Sequence, residues 1–425
     1  MTLAATDSLL LSPKSKQRLV AVFALTNSIG YIAMVQTLPV VLIPMADDLG
    51  TSRTAIAAAT TVSTLMGAFA ALPVGRVLDR VGGRALMATG SGLGAASVLL
   101  WSQAQSLLLL YGAFALIGLA LSMSTYEASF AVLAVSVEPP QRNQSILTVT
   151  MVVGLATYLV YPLVGWLNIQ FGWRTTVIAL AVTLAVTAVP AHVVSVPSRT
   201  THRGRIIGRA GAPLRTVLRQ SRFWLLTVAF VAQAASSAAF LLLGITYLID
   251  RGHSVPVATS VLISVGVLQI VARLILTVAG SRLSFTVAAA VSFAIQGVGL
   301  LLLPLVGLSI PLTLLCVAAV GLGQGVAVVA KPAMLANTFG VLHFASVLAA
   351  ITVPTALARA GSPLLAAWLG DWRFLIGCGL LSLIASFALL LLGLRSSRNT
   401  DESSTASRDG DSTGTVQSTT CARTR

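Results

Sequence analysis

Residues 75–84 read Gly-Arg-Val-Leu-Asp-Arg-Val-Gly-Gly-Arg. Three arginines and one aspartate stand between two long apolar runs, too much charge for a segment lying in lipid. Gly82 and Gly83 suit a tight turn that needs positive φ. Asp79 suits the free amides of a helix N-terminus, where negative charge is favoured. The stretch is therefore read as a short polar turn joining two apolar helices.

Composition agrees with that reading. Of 425 residues, 56% are hydrophobic and only 9% charged, too few charges to cover the surface of a water-soluble domain of this length. The chain is an integral membrane protein by composition. Its net charge of +15 is not a nucleic-acid footprint, because the arginines sit in short segments between apolar runs. Cys316, Cys378 and Cys421 are far apart, and His192, His202, His253 and His343 show no ligand spacing, so neither a metal nor a disulfide framework is suggested. Nothing resembles a nucleotide-binding loop, and no cofactor is expected.

A helix needs roughly 20 apolar residues to cross the hydrocarbon core. On that ruler twelve spans are expected, at about 19–45, 54–75, 85–103, 106–135, 144–168, 174–196, 222–249, 256–279, 284–306, 309–335, 343–369 and 373–394. The runs lack strand-like alternation, and lipid leaves no backbone unpaired, so all are helices. The segments on the side of residues 1–18 carry fifteen Lys and Arg before the tail, against four on the other side (Arg53, Arg174, Arg251 and Arg373). That bias places both termini in the cytoplasm, in the cell's inner membrane. The expected organisation is a cytoplasmic segment 1–18, a six-helix bundle 19–196, a basic cytoplasmic linker 197–221 touching anionic lipid, a second six-helix bundle 222–394, and a disordered cytoplasmic tail 395–425.

The halves echo each other. Pro162 and Trp173-Arg174 correspond to Pro363 and Trp372-Arg373, and Gly118-Leu119-Ala120 to Gly321-Leu322-Gly323. Gly75-Arg76 with Arg84 has a worn copy in Ala272-Arg273 with Arg282, lacking the aspartate. Gly75, Asp79, Arg80, Gly82 and Arg84 also match the loop between helices 2 and 3 of the major facilitator superfamily, which the chain resembles. The resemblance implies an all-α membrane protein of twelve transmembrane helices in two pseudo-symmetric bundles, a transporter and not an enzyme, monomeric, with a small-molecule solute and protons as partners.

Glu127 is the only acid well inside a span, and its cost in lipid, about 3 kcal/mol or more, turns it to the protein interior. It is read as a proton-coupling or substrate group, or else as a structural ion pair. Lys331 lies within one position of the repeat equivalent of Glu127. It can hold an anionic substrate group, form a gate pair with Glu127, or snorkel to the membrane surface. Arg273 is expected to snorkel or touch a loop. Arg359 is deep enough to need a partner or an anion, or serves helix packing. The resemblance implies a cavity lined by spans 1, 4, 7 and 10. There Asn27, Tyr31, Gln36, Tyr126, Gln233, Ser237 and Gln324 are candidates for it, with Arg359 from span 11.

The stretch Tyr126 to Phe130, the Gly172-Trp173-Arg174 turn and the region from Gly321 to Gly340 loosely resemble bacterial carriers related to monocarboxylate and oxalate–formate transporters. That implies a proton-coupled secondary transporter of a small organic solute, an organic anion, working by alternating access. The alternative is a proton-driven drug or metabolite exporter of the same superfamily. Tyr161 and Trp166, where such drug exporters carry glycines beside Pro162 and Gly165, argue against it.

Overall fold

A computed structural model describes residues 13–197, 213–279, 284–306, 309–341, 343–370 and 372–412. Ten helices of membrane-spanning length and composition are each single crossings: α1 (Pro13–Asp48), α2 (Arg53–Val81), α3 (Gly83–Ser102), α4 (Leu107–Ser136), α7 (Ser221–Asp250), α8 (Pro256–Ala279), α9 (Phe285–Leu305), α10 (Ile310–Phe339), α11 (Phe344–Leu369) and α12 (Arg373–Leu394). The eleventh, Gln141–Ser195, has 55 residues. At 1.5 Å per residue it would be about 80 Å long, far more than one bilayer core. Gly172 breaks it with φ 77° and ψ 164°, so it is two helices, α5 before the glycine and α6 after it. Twelve crossings result, near the boundaries read from the apolar runs.

One expected boundary differs. The last helix continues past Leu394 to Ser412, where an unstructured tail was expected from 395. Propagating a formed helix adds one hydrogen bond per residue without a new nucleus. In the basic linker, Leu214–Val217 form a short helix; residues 198–212, and Arg282 in the worn loop copy, lie outside the described residues.

Local chemistry sets the helix ends. Ser52 and Ser106 cap α2 and α4, accepting from the amides of Ala55 (3.1 Å) and Leu109 (3.3 Å). Glycines end α2, α5, α10 and α11 at Gly82, Gly172, Gly340 and Gly370, all with positive φ and extended ψ. An L side chain is strained there, so glycine is the residue that lets these chains turn. Gly83, expected to share the turn, instead opens α3; a side chain there would run into Val132 of α4.

Two helices are irregular in mid-membrane. In α1, Ile32–Gln36 form a π-helical turn. In α4, Thr125 leaves helical geometry at φ −108° and ψ −145°, and a fresh helix starts at Tyr126. The same helices pack closely elsewhere. A side chain at Gly118 of α4 would collide with the Ser63 carbonyl of α2.

The buried apolar residues fall into three clusters. One gathers ends of helices from both halves, including Leu19, Leu78, Ile146, Phe223, Leu276 and Phe344. All lie at the end of the molecule that carries the 75–84 loop. At the opposite end each half has its own core, one around Met45, Trp101 and Trp173, the other around Tyr247, Phe374 and Leu300. The halves are fused at the loop end and parted at the other.

Outward, large apolar side chains stay uncovered, among them Leu108, Leu159 and Trp368, at 84%, 76% and 84% exposure. In water such a belt would aggregate; in a bilayer it meets acyl chains.

Candidate functional site

The space between the parted halves is a chamber of about 1030 Å³, at the upper end of the size usual for small-ligand sites. A side pocket of about 250 Å³ between α2 and α11 shares Tyr31, Glu127, Lys331, Thr355 and Arg359 with it.

The floor of the chamber is built by the two irregular helices. The break at Thr125 starts a new helix whose first turn holds Glu127. The amides of a helix's first turn lack internal partners, and its dipole favours a carboxylate. Tyr126 stacks on Phe130 (ring centroids 5.2 Å apart, planes at 22°), and Tyr31 of α1 leans on Tyr126 at 4.8 Å. Gln36, at the end of the π-helical turn, accepts a hydrogen bond from the Tyr161 hydroxyl (2.9 Å) and lines the chamber.

The facing wall comes from the second half. Lys331 of α10 lines both the chamber and its side pocket, and its ammonium donates to Thr352 Oγ1 of α11, on the side-pocket wall, at 3.4 Å. Pro332 has no N–H for the carbonyl of Val328, another lining residue. Glu127 and Arg359 are both within electrostatic reach of Lys331. Among the described residues, however, the one ion pair within 4.0 Å is Arg174–Asp48, so Glu127 and Lys331 share the chamber without touching. Arg273, expected to snorkel or touch a loop, lines the chamber and reaches across to α5, donating to the Thr150 carbonyl (2.7 Å). It is 6% exposed.

The remaining candidates divide. Tyr31, Gln36, Tyr126, Gln233, Ser237, Gln324 and Arg359 line the chamber. Asn27 does not: it is fully buried between α1 and α4, donating to Ser129 Oγ and the Phe23 carbonyl, both 2.8 Å. Gln324 accepts from Gln269 of α8 (2.7 Å). The Gln233 amide donates to Gln296 Oε1 (2.7 Å) and Ser237 Oγ (3.3 Å).

Reading only spans 1, 4, 7 and 10 missed lining groups on α2, α8 and α11. Thr60 and Thr64 lie one turn apart on α2, and Thr352 and Thr355 precede the expected Arg359 at helical spacing on α11. That periodicity was available in the sequence. Gln296, which holds Gln233 from behind, carries no such signal.

At the loop end the halves are latched. Asp79 accepts from the amides of Ala345 (3.2 Å) and Ser346 (3.0 Å) and from the Ser346 hydroxyl (2.5 Å), in the first turn of α11. This is the helix N-terminus that the carboxylate needed. Gly75 permits the approach: a Cβ there would stand 2.8 Å from the Ala345 carbonyl oxygen. Gly82 makes the turn, and Arg84 Nε donates to the Val196 carbonyl at the end of α6 (2.7 Å), while Arg80 is exposed. A buried Arg142 at the start of α5 donates to Asn337 Oδ1 of α10 (2.5 Å), a second link between the halves. At the other end Arg174 knits the first half together. It pairs with Asp48 (2.8 Å), donates to the carbonyls of Ser102 and Ala104, and stacks on Trp173.

Comparison with known proteins accords with this architecture. A family model described as Major Facilitator Superfamily matches residues 19–310. The purine ribonucleoside efflux pumps NepI of Shigella sonnei and of Escherichia coli K12 are each 28% identical over 290 residues, covering 66% of this chain and 68% of theirs. Among solved structures, the human organic anion transporter MFSD10 (TETRAN) superposes with a TM-score of 0.67 at 16% identity, covering 90% of this chain and 99% of that one. The Escherichia coli fucose:proton symporter FucP gives 0.65 at 12%, covering 89% and 98%. At such identities these two structures share the fold. The matched model spans more than half of the chain, over helices whose halves meet at the 75–84 loop and part around a central chamber, and the chain belongs to the major facilitator superfamily of secondary transporters.

Proposed function

We propose that this protein is a proton-coupled exporter of a small polar metabolite of the purine nucleoside class, working by alternating access across the inner membrane. The observation that carries the class is the 28% identity over 290 residues to proteins named as purine ribonucleoside efflux pumps. The chamber supports it: an aromatic wall for a flat ring (Tyr31, Tyr126 and Phe130) stands beside side-chain amides for its polar edge. The expectation of an organic anion, made without a direction of transport, rests on the looser resemblance.

With the loop end in the cytoplasm, as the arginine bias implies, this conformation faces outward. The latch of Asp79 on α11 holds it closed inside. Glu127 is the coupling group. An external proton taken up at Glu127 removes the charge opposite Lys331, and the inward swing returns that proton to the cytoplasm as cargo loads. Lys331 and Glu127 change partners in this cycle without needing a permanent pair.

The test is transport in inverted membrane vesicles. Radiolabelled inosine and guanosine should accumulate when the lumen is acidified, and the protonophore-treated vesicles should retain only exchange. Accumulation driven without a proton gradient removes the coupling. Transport of small organic acids alone, with nucleosides ignored, restores the organic-anion reading.

A further inference from the structure

Among the charged groups lining the chamber, three are cations (Arg273, Lys331 and Arg359) and one is an acid, Glu127. Arg273 is directed at the Thr150 carbonyl across the halves. Lys331 makes one long hydrogen bond, to a hydroxyl that cannot neutralise it. Arg359, one turn past Thr355 on α11, opens onto both the chamber and its side pocket. A chamber walled by apolar helices focuses such an excess of positive charge, because little solvent is present to screen it.

The positive groups are not spread evenly. Lys331 and Arg359 belong to the second half, whereas the aromatic wall of Tyr31, Tyr126 and Phe130 belongs to the first. Gln233 adds a directional feature. It is 2% exposed, its amide nitrogen is committed to Gln296 and Ser237, and its buried Oε1 has no partner. Gln296 is itself held by Ser236, Ser237 and Ser382 at 3.2–3.3 Å, so the pair is oriented from behind. A buried carbonyl oxygen left without a donor is costly, and a ligand N–H supplies one.

We infer that the chamber selects a flat nitrogen heterocycle bearing one anionic group, the ring lying against Tyr31 and Tyr126, a ring or amino N–H donated to Gln233 Oε1, and the anion held by Lys331 and Arg359. This rests on the exporter reading and narrows its cargo to the acidic members of the class, a purine carrying a carboxylate or a phosphate. Closing the halves then brings the two walls together only when both ends of the cargo are present, so that ring and charge are read jointly. An uncharged nucleoside would leave the two cations without a counter-charge as the chamber shuts, and a bare anion would leave the aromatic wall uncovered.

The experiment is equilibrium binding to the full-length chain in lipid nanodiscs at pH 7. The probes are inosine, inosine 5′-monophosphate, purine-6-carboxylate and inorganic phosphate. At least one ring-bearing anion should bind about tenfold or more tighter than both inosine and inorganic phosphate, a gain typical of charge-assisted hydrogen bonds. Which of the two does so identifies carboxylate or phosphate. Lys331→Gln and Arg359→Gln should each bring that ligand to within about threefold of inosine measured on the same variant, and Lys331→Arg and Arg359→Lys should keep the preference. Gln233→Leu should weaken all purines and leave inorganic phosphate alone. Equal binding of inosine and both anions, or a preference that survives both neutral variants, overturns the anionic subsite and leaves nucleoside export standing. Failure of every purine to bind, in protein that keeps its thermal transition, overturns the export reading together with it.

Discussion

Glu127 stands where a helix begins inside the bundle, in a first turn whose free amides and dipole favour its carboxylate. Its neighbourhood holds more positive than negative charge, and no ion pair ties it down among the described residues. Glu127→Gln should abolish gradient-driven efflux, by at least about tenfold, while preserving cargo exchange in vesicles without a gradient. Efflux that still follows the pH gradient in this variant would leave coupling to another group. Asp79 acts by a different chemistry, as a single acceptor for three donors of α11. Asn at 79 offers one oxygen and a competing NH₂. At about 1.5–3 kcal/mol for hydrogen bonds to a charged group, the state closed at the loop end should lose roughly ten- to a hundredfold in population, with membrane insertion unchanged. Transport at the normal rate by the Asp79→Asn protein would detach the latch from the cycle.

At the scale of elements, glycine contacts decide which helices lie against each other. Gly118 lets α4 meet the Ser63 carbonyl of α2, and Gly299, Gly321 and Gly325 perform the same service between α9 and α10 and between α10 and α8. Gly118→Ala should cost about 1–3 kcal/mol, read as a lowered melting temperature of the detergent-solubilised protein, because backbone cannot yield as a side chain can. Gly172→Ala should cost a similar amount, about 1–3 kcal/mol, for another reason: at φ 77° and ψ 164° a Cβ is strained even with open space around it. An unchanged melting temperature for Gly172→Ala would mean that the turn between α5 and α6 relaxes freely. Of the irregular elements, neither the π-helical turn at Ile32–Gln36 nor the break at Thr125 was foreseen. For the first there is a local cause, since Pro39 has no N–H for the carbonyl of Val35 inside the turn; the second lies in the polar stretch Ser122 to Glu127, with no proline or glycine at the break.

For the whole molecule, one shared core at the loop end and two separate cores opposite make a clamp open on one side. The asymmetry has a direct readout. With Cys421→Ser as background, since Cys316 and Cys378 are buried, Thr64→Cys should react with a membrane-impermeant maleimide from the face opposite the loop. Asn337→Cys, behind the closed end, should resist it. Adding Asp79→Asn should slow labelling at position 64 severalfold as the population shifts inward. Equal labelling of both positions from that face would contradict the clamp.

The twelve crossings, the all-helical class, the turn at 75–84 and its hunger for helix amides were all readable from the chain, because bilayer thickness and backbone hydrogen bonding act on composition and order alone. So was the presence of Glu127, Lys331 and Arg359 inside apolar runs. What they do to one another was not. The sequence repeat left an ion pair between Glu127 and Lys331 open, and the fold holds them apart in one chamber; it listed Asn27 with the cavity and Arg273 with the surface, and the fold reverses both. Helical periodicity states which residues share a face but not which way that face is turned. The turn is chosen when close contacts such as Gly75 on Ala345 and Gly118 on Ser63 bring helices distant in the chain together.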